Sequence, residues 1–163
     1  MARAKPDAGL RPLFRQHLNI GFDWCSVESG TTGKGIPDSN YCGTNGKEGW
    51  VEFKTTPGWT VPLRPEQVGW IARRCRYGGR VWVAVRQLHE GTTRTAARDS
   101  LWLIPGPLAM VAKAHGLKPL LASAFVGAGV ANWSNRTLTG GVWRWDGGPG
   151  GWDWQAIAAV LVA

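Results

Sequence analysis

Cysteine is scarce in this chain of 163 residues, and long apolar runs are missing from it. The three cysteines, Cys25, Cys42 and Cys75, form no Cys-x-x-Cys pair, which argues against a zinc site or a disulfide framework. We therefore expect reduced, partly buried thiols. No apolar run approaches the roughly 20 residues that cross a bilayer, and the N-terminal stretch 1–10 lacks the apolar segment of a secretory signal. The expected location is the cytoplasm of whatever cell makes the protein, without a membrane partner.

Acidic residues are also few, with 11 Asp and Glu against 19 Lys and Arg, and the formal net charge is +8. Such an excess attracts polyanions, either nucleic acid or an anionic membrane surface. Arginine dominates the most basic stretch, and its forked guanidinium fits phosphate oxygens. A basic face that only aids solubility is the alternative. The arginines of this stretch are Arg64, Arg73, Arg74, Arg76, Arg80, Arg86, Arg94 and Arg98, with only Glu66 and Glu90 among them.

Apolar residues make up 44% of the chain and include eleven Trp, which indicates a folded globule. The length suits a single domain, 1–163, and helical and strand patterns are interspersed, which predicts an α/β (α+β) fold with a small mixed central sheet flanked by helices. A motif-bearing core spans about 20–104, and a C-terminal extension of about 105–163 is expected to pack on it. Predicted helices are 10–20, 65–77, 107–115 and 152–162; predicted strands are 22–28, 36–42, 49–55, 80–88, 100–104 and 138–145.

The hairpin around Asn45-Gly46 carries the chemistry. Glu52 and Lys54 are two apart on its second strand, so their side chains leave the same face of the sheet. Asp38 lies on the preceding strand, and Glu28 ends the strand before that. Three carboxylates and an ammonium group thus converge in the predicted sheet. Neighbouring carboxylates repel one another, and a divalent cation relieves this repulsion. Oxygen ligands select Mg²⁺ or Mn²⁺ over zinc. The alternative is a solvated strand face with a weak ion pair.

Three strings in a fixed order extend this pattern. Gly35-Ile-Pro-Asp38, Trp50-Val-Glu-Phe-Lys54 and Leu63-Arg-Pro-Glu-Gln67 resemble the motifs of the PD-(D/E)XK nuclease superfamily. The chain is most similar to its compact branch, which includes VRR-NUC domains and phage-encoded endonucleases of the Holliday-junction-resolvase type. The resemblance covers roughly residues 24 to 86.

This resemblance implies a restriction-endonuclease-like core and a DNA endonuclease that depends on Mg²⁺ or Mn²⁺. It implies that Asp38 and Glu52 bind the metal and that Glu28 adds to the coordination, directly or through water. Lys54 is implied to position the nucleophile, and Gln67 to support the site or contact the scissile phosphate. A homodimer and a preference for branched DNA, such as Holliday junctions, are further implications.

Basic and aromatic residues outside the hairpin are candidates for DNA contacts. Arg64, Arg73, Arg74 and Arg76 flank or follow Gln67, and the last three are expected to grip the backbone beside the cut or to form a solvated helix face. A Trp cluster in the last third is interpreted as core or dimer interface, with base stacking as the alternative. Its members are Trp133, Trp143, Trp145, Trp152 and Trp154.

Two other functions stay open on the sequence. One is a non-catalytic nucleic-acid-binding protein on a nuclease-like scaffold, which predicts salt-sensitive binding without cleavage. The other is a protein that acts on a partner protein through the Trp-rich C-terminal part.

Overall fold

The computed structural model describes residues 7–27, 33–126 and 140–163, so that Glu28 and Trp133 lie outside the described residues. The strands in these ranges are β1 Phe22–Ser26, β2 Ser39–Gly43, β3 Glu48–Thr56, β4 Val81–His89, β5 Arg98–Pro105, β6 Ala124–Val126 and β7 Val142–Trp145. The α-helices are α1 Leu10–His17, α2 Pro65–Arg76, α3 Ala109–His115 and α4 Trp154–Leu161, and short 3-10 helices occupy Gly106–Leu108 and Lys118–Ser123.

All seven described strands belong to one mixed sheet in the order β1-β2-β3-β4-β5-β7-β6. The β3–β4 and β6–β7 pairs are parallel, and the other neighbours are antiparallel. Helices flank this sheet, which confirms the predicted α/β class. The C-terminal part contributes strands as well as a helix, since β7 pairs with β5 and carries β6 at the edge.

Apolar residues cover both faces of the sheet. On one face α1 and α4 pack against alternate residues of the strands, and Phe14 and Ile157 belong to the same apolar cluster as Val51 and Phe53. On the other face α2 and α3 pack against a second cluster that includes Val83. Burial of each large side chain stabilises the fold by about 1.5–3 kcal/mol. Because side chains alternate along a strand, the polar residues Glu52 and Lys54 lie on the α2 face of the sheet.

The predicted hairpin is present, and its turn sets the register. Gly46 has φ 76°, a left-handed conformation that suits glycine, and its N–H donates to the Gly43 carbonyl at 2.9 Å. Ser39 of β2 pairs with Val51 of β3, so Asp38, just before Ser39, lies opposite Glu52, just after Val51. The hairpin thereby brings Asp38 close to Glu52.

Several predicted boundaries were wrong by a few residues. β2 begins at Ser39 rather than at residue 36, because Pro37 has no N–H to give to a ladder. α4 begins at Trp154 rather than at residue 152, because Asp153 caps it and accepts from the Ala156 N–H at 2.9 Å. The 3-10 helix Lys118–Ser123 and strand β6 were not predicted at all.

The Trp-rich C-terminal part is mainly core. Trp143, Trp145 and Trp152 are at most 4% exposed, so the core interpretation is confirmed for them and base stacking was wrong. Trp154 is half-buried and stacks on His17 with the ring centroids 4.2 Å apart. The reason is tertiary, since α4 lies across the sheet and these rings fill the layer beneath it.

The cysteines and the helices of the structure bear on two further predictions. All three cysteines are free, as predicted, although Cys25 is exposed rather than partly buried. No helix in the described ranges combines the length and the apolar character that membrane crossing requires.

We expect Tyr41→Phe to lower the free energy of unfolding by about 1 kcal/mol. The buried Tyr41 hydroxyl donates to the Leu161 carbonyl at 2.6 Å and ties α4 to β2. Arg80 Nη1 also donates to that carbonyl, at 3.1 Å, which keeps the loss modest. Urea unfolding measures the change, and Tyr77→Phe, at a side chain 85% exposed, is the matched control that should leave stability unchanged. Equal stabilities for wild type and Tyr41→Phe would contradict the assigned role.

Candidate active site

Glu52 on β3 is the centre of the candidate site. Its side chain is fully buried on the α2 face of the sheet. Oε1 lies 2.7 Å from the Lys54 ammonium and also accepts from the Gln67 amide nitrogen. Oε2 is equally buried and has no hydrogen-bond partner among the described residues. A buried carboxylate oxygen without a partner is costly, which makes this atom a candidate contact for a ligand.

Asp38, the residue just before β2, lies beside Glu52. Its Oδ2 accepts from the Phe53 N–H at 2.9 Å, which fixes the carboxylate against the neighbouring strand. The pKa of Glu52 is raised to about 7, first by burial and then by the negative charge of Asp38, while Lys54 and Arg64 act in the opposite direction. The two carboxylates therefore repel each other in a partly desolvated setting, where a cation would relieve the repulsion.

Gln67 links this carboxylate to α2. Its amide nitrogen donates to Glu52, and its Oε1 accepts from the backbone N–H of Arg64 at 3.0 Å. Gln67 is the third residue of a helix that begins at Pro65, where a side-chain acceptor satisfies an N–H before the first turn. One side chain thus starts the helix and holds Glu52 Oε1, which leaves Oε2 free. Gln67 is only 3% exposed, so it is not an ordinary surface residue.

A pocket of about 430 Å³ opens over these groups. It brings together five of the residues predicted from the sequence, and their catalytic and binding roles stay predictions. The described lining has carboxylates, cations and an amide but no His or Cys. Its residues are Asp7, Arg11, Asp38, Glu52, Phe53, Lys54, Pro62, Arg64 and Gln67.

Asp7 and Arg11 are the pocket residues that sequence reasoning missed. Asp7 is 6% exposed, and its carbonyl accepts from the Leu10 N–H at 2.8 Å and from the Thr55 hydroxyl at 3.3 Å. Its Oδ2 lies 3.8 Å from Arg11 Nε, one helical turn on. The sequence signal for Asp7 was its position just before an amphipathic helix, because a carboxylate near the N-terminal end stabilises a helix.

A strained turn places Asp7 over the pocket. Ala8 has φ 43° and Gly9 has φ 78°, so two successive residues are left-handed just before α1. For alanine this conformation is unfavourable and persists only where the surrounding structure imposes it. The Gly9 N–H donates to Asp7 Oδ1 at 3.2 Å and closes the turn.

Arg73, Arg74 and Arg76 do not line the pocket. They lie in the last turn of α2, about 9–14 Å along the helix axis from Gln67 at a rise of about 1.5 Å per residue. The Arg74 guanidinium lies over the Trp50 and Trp70 rings, 5.8 and 5.7 Å from their centroids. Of the four candidate arginines only Arg64 lines the pocket, and contacts of the other three with the DNA backbone stay a prediction.

The donor set fits a hard divalent cation better than zinc. Within the described ranges no three His, Cys, Asp or Glu side chains are arranged to hold a metal ion, and Glu28 lies outside those ranges. Of the three carboxylates expected to converge, the described residues bring Asp38 and Glu52 together, and Asp7 lies elsewhere in the pocket wall. Mg²⁺ is commonly held by one or two carboxylates, with water and substrate phosphate completing its shell. The unpartnered Glu52 Oε2 is consistent with such an ion.

Comparison with protein-family models, curated proteins and solved structures gives no match for this chain.

Proposed function

We propose that this protein is a DNA endonuclease that depends on Mg²⁺ or Mn²⁺ and hydrolyses phosphodiester bonds. The observation that carries the proposal is the buried Glu52 Oε2, which has no partner in the described part of the chain and lies beside Asp38 and Lys54 in a pocket with cations at its wall. The resemblance of the three sequence strings to PD-(D/E)XK nucleases supports the same reaction.

Asp38 and Glu52 are the residues that would hold the cation. When bound, Mg²⁺ or Mn²⁺ would act as a Lewis acid that polarises a phosphate oxygen and lowers the pKa of the water bound to it. Phe53 N–H holds the Asp38 carboxylate in place, and Gln67 fixes Oε1 of Glu52, so little reorganisation is needed. Lys54, with its side chain 12% exposed, would supply the positive charge that positions the attacking water and stabilises the negative charge developing on the phosphate.

Arg64 and Arg11 are suited to hold the DNA backbone. They reach the pocket from α2 and α1, and each is only loosely paired with an acid: Arg64 Nε lies 3.7 Å from Glu66 Oε1, and Arg11 Nε lies 3.8 Å from Asp7 Oδ2. The Arg64–Glu66 pair is exposed, and such pairs contribute little to stability; Asp7 is buried, but at 3.8 Å its contact with Arg11 is too long for a hydrogen bond. Both guanidinium groups are therefore available to exchange a carboxylate for a phosphate.

Incubation of the purified protein with plasmid DNA and with synthetic Holliday junctions tests the proposal. Cleavage with Mg²⁺ or Mn²⁺ and none with EDTA is the expected result, and a higher rate on junctions than on linear duplex would support the branched-DNA preference. Salt-sensitive binding of DNA without cleavage under any metal would instead favour the non-catalytic nucleic-acid-binding protein.

A homodimer belongs to this proposal, because symmetric cleavage of a junction needs two sites. Light scattering at working concentration measures it. A monomer that still cuts both strands of a junction in one encounter would remove the dimer and leave the nuclease.

Asp7→Asn is expected to lower the cleavage rate by about 10- to 100-fold. Asp7 adds negative charge to the pocket wall and faces Arg11, so its loss weakens the field that attracts the cation and frees the arginine. Cleavage rates across a Mg²⁺ titration measure the effect, with a rise in the Mg²⁺ concentration required for half-maximal rate. Asp23→Asn, an exposed acid on β1, is the matched control. An unchanged Mg²⁺ requirement in Asp7→Asn would show that Asp7 only builds the turn.

A further inference from the structure

An apolar groove between α2 and α3 lies outside the candidate active site. Two cavities of about 480 and about 360 Å³ share Val68, Ala72 and Met110 in their walls and so form one continuous groove. Met110 is 62% exposed although its neighbours Ala109 and Ala112 are buried. The proposed nuclease chemistry uses none of these residues.

Gly69 in the groove has no explanation within the described part of the chain. It lies in the interior of α2, where glycine weakens a helix relative to alanine. A Cβ added at Gly69 would meet no atom within 4 Å, so no described neighbour requires the missing side chain. Glycine at an exposed helix position does allow the backbone of another molecule to approach closely.

The charges along the groove have one sign. Lys113 and Arg76 line it, and none of the described lining residues is an acid. The Lys113 ammonium donates to the Leu63 carbonyl at 2.9 Å, which keeps this charge at the rim. No Asp or Glu occurs in the sequence from residue 100 to residue 145. A second copy of this chain would bring its own net charge of +8 to the groove, so charge complementarity favours an acidic occupant over self-association.

We propose that this groove binds an acidic amphipathic helix of a partner protein. The 12 residues of α2 span about 18 Å, which accommodates about three turns of a partner helix. Its apolar side chains pack on Ala72 and Met110, its backbone passes close to Gly69, and its carboxylates pair with Arg76 and Lys113. This interaction is independent of DNA cleavage.

Fluorescence anisotropy with two synthetic peptides tests the proposal in the absence of DNA and metal. Both peptides are helices of about 14 residues with leucine along one face; one carries glutamate and the other lysine on the opposite face. The glutamate peptide is expected to bind the full-length protein at least about tenfold more tightly than the lysine peptide. Equal binding of the two peptides, or binding of neither, would overturn the proposal.

Two substitutions separate the groove from general attraction to a basic protein. Met110→Glu is expected to weaken binding of the glutamate peptide by at least about tenfold, whereas Ile20→Glu, at a side chain 91% exposed and outside the groove lining, should leave it unchanged. Gly69→Ala is expected to raise the urea midpoint and yet weaken peptide binding several-fold.

Three results would contradict the assigned site. Gly69→Ala that raises stability without a loss of binding would remove glycine from the interface. Equal effects of Met110→Glu and Ile20→Glu would place the peptide elsewhere. A dimer in light scattering that Met110→Glu dissociates would assign the groove to a second copy of the chain.

Discussion

Glu52→Gln and Lys54→Ala are each expected to lower the rate of metal-dependent DNA cleavage by about a thousandfold or more. Glu52→Gln removes the charge that would hold the cation at the buried Oε2, and Lys54→Ala removes the only ammonium group within 4 Å of Glu52 in the described residues. Initial cleavage rates of plasmid DNA at saturating Mg²⁺ measure both effects. Because neither side chain is well exposed, both variants should bind DNA with nearly the wild-type salt dependence.

Glu48→Gln is the matched control for this experiment. Glu48 begins the same strand, but it is exposed and does not line the pocket, so its loss should leave cleavage unchanged. Circular dichroism establishes that all variants fold. Cleavage by folded Glu52→Gln at a rate close to that of wild type would refute the proposed site, while equal losses in Glu48→Gln and Glu52→Gln would indicate a general electrostatic effect.

The free energy of unfolding of the metal-free protein is expected to fall as pH rises from about 4.5 to about 7, relative to that of Glu52→Gln. Burial and the charge of Asp38 raise the pKa of Glu52 from 4.5 to about 7 in the folded protein. Between these values the folded protein keeps a proton that the unfolded chain has released, so each rise in pH favours unfolding. The shift corresponds to about 3 kcal/mol over the whole window, since one pKa unit equals about 1.4 kcal/mol.

Urea unfolding of both proteins at pH 4, 5, 6, 7 and 8 with EDTA measures this difference. Below pH 4.5 the contribution of Glu52 is fully present, and above pH 7 it is lost. Saturating Mg²⁺ should reverse the trend and stabilise the wild-type protein more as pH rises, because a cation binds the ionised carboxylate. Parallel curves for wild type and Glu52→Gln, with and without Mg²⁺, would contradict both the raised pKa and the cation site.

Local pattern was sufficient for the centre of the candidate site. The turn at Asn45-Gly46 and the two-residue period of a strand predicted that Glu52 and Lys54 share a face and that Asp38 lies beside them, and the register confirms this placement. Gln67 was predicted from a motif. Its two hydrogen bonds, one to Glu52 and one at the N-terminal end of α2, follow from how that helix packs on β3.

Other parts of the site depend on contacts between distant segments. Asp7 lies more than 40 residues before Thr55, whose hydroxyl holds its carbonyl, and no sequence period links the two. The arginines at the end of α2 follow Gln67 by six to nine residues, and the helical rise carries them away from the pocket. For the same reason the tryptophans of β7 and the loop before α4 are core, since only the assembled sheet shows what covers them.

The sequence by itself determined the strand alternation, the hairpin and the excess of basic charge, because these depend on covalent spacing and composition. Only the tertiary structure decided that Glu52 Oε2 is buried with no partner among the described residues, that Asp7 joins the pocket and that β7 and β6 extend the sheet beyond β5. Burial and the absence of a partner depend on every segment that surrounds an atom, and these segments come from all parts of the chain.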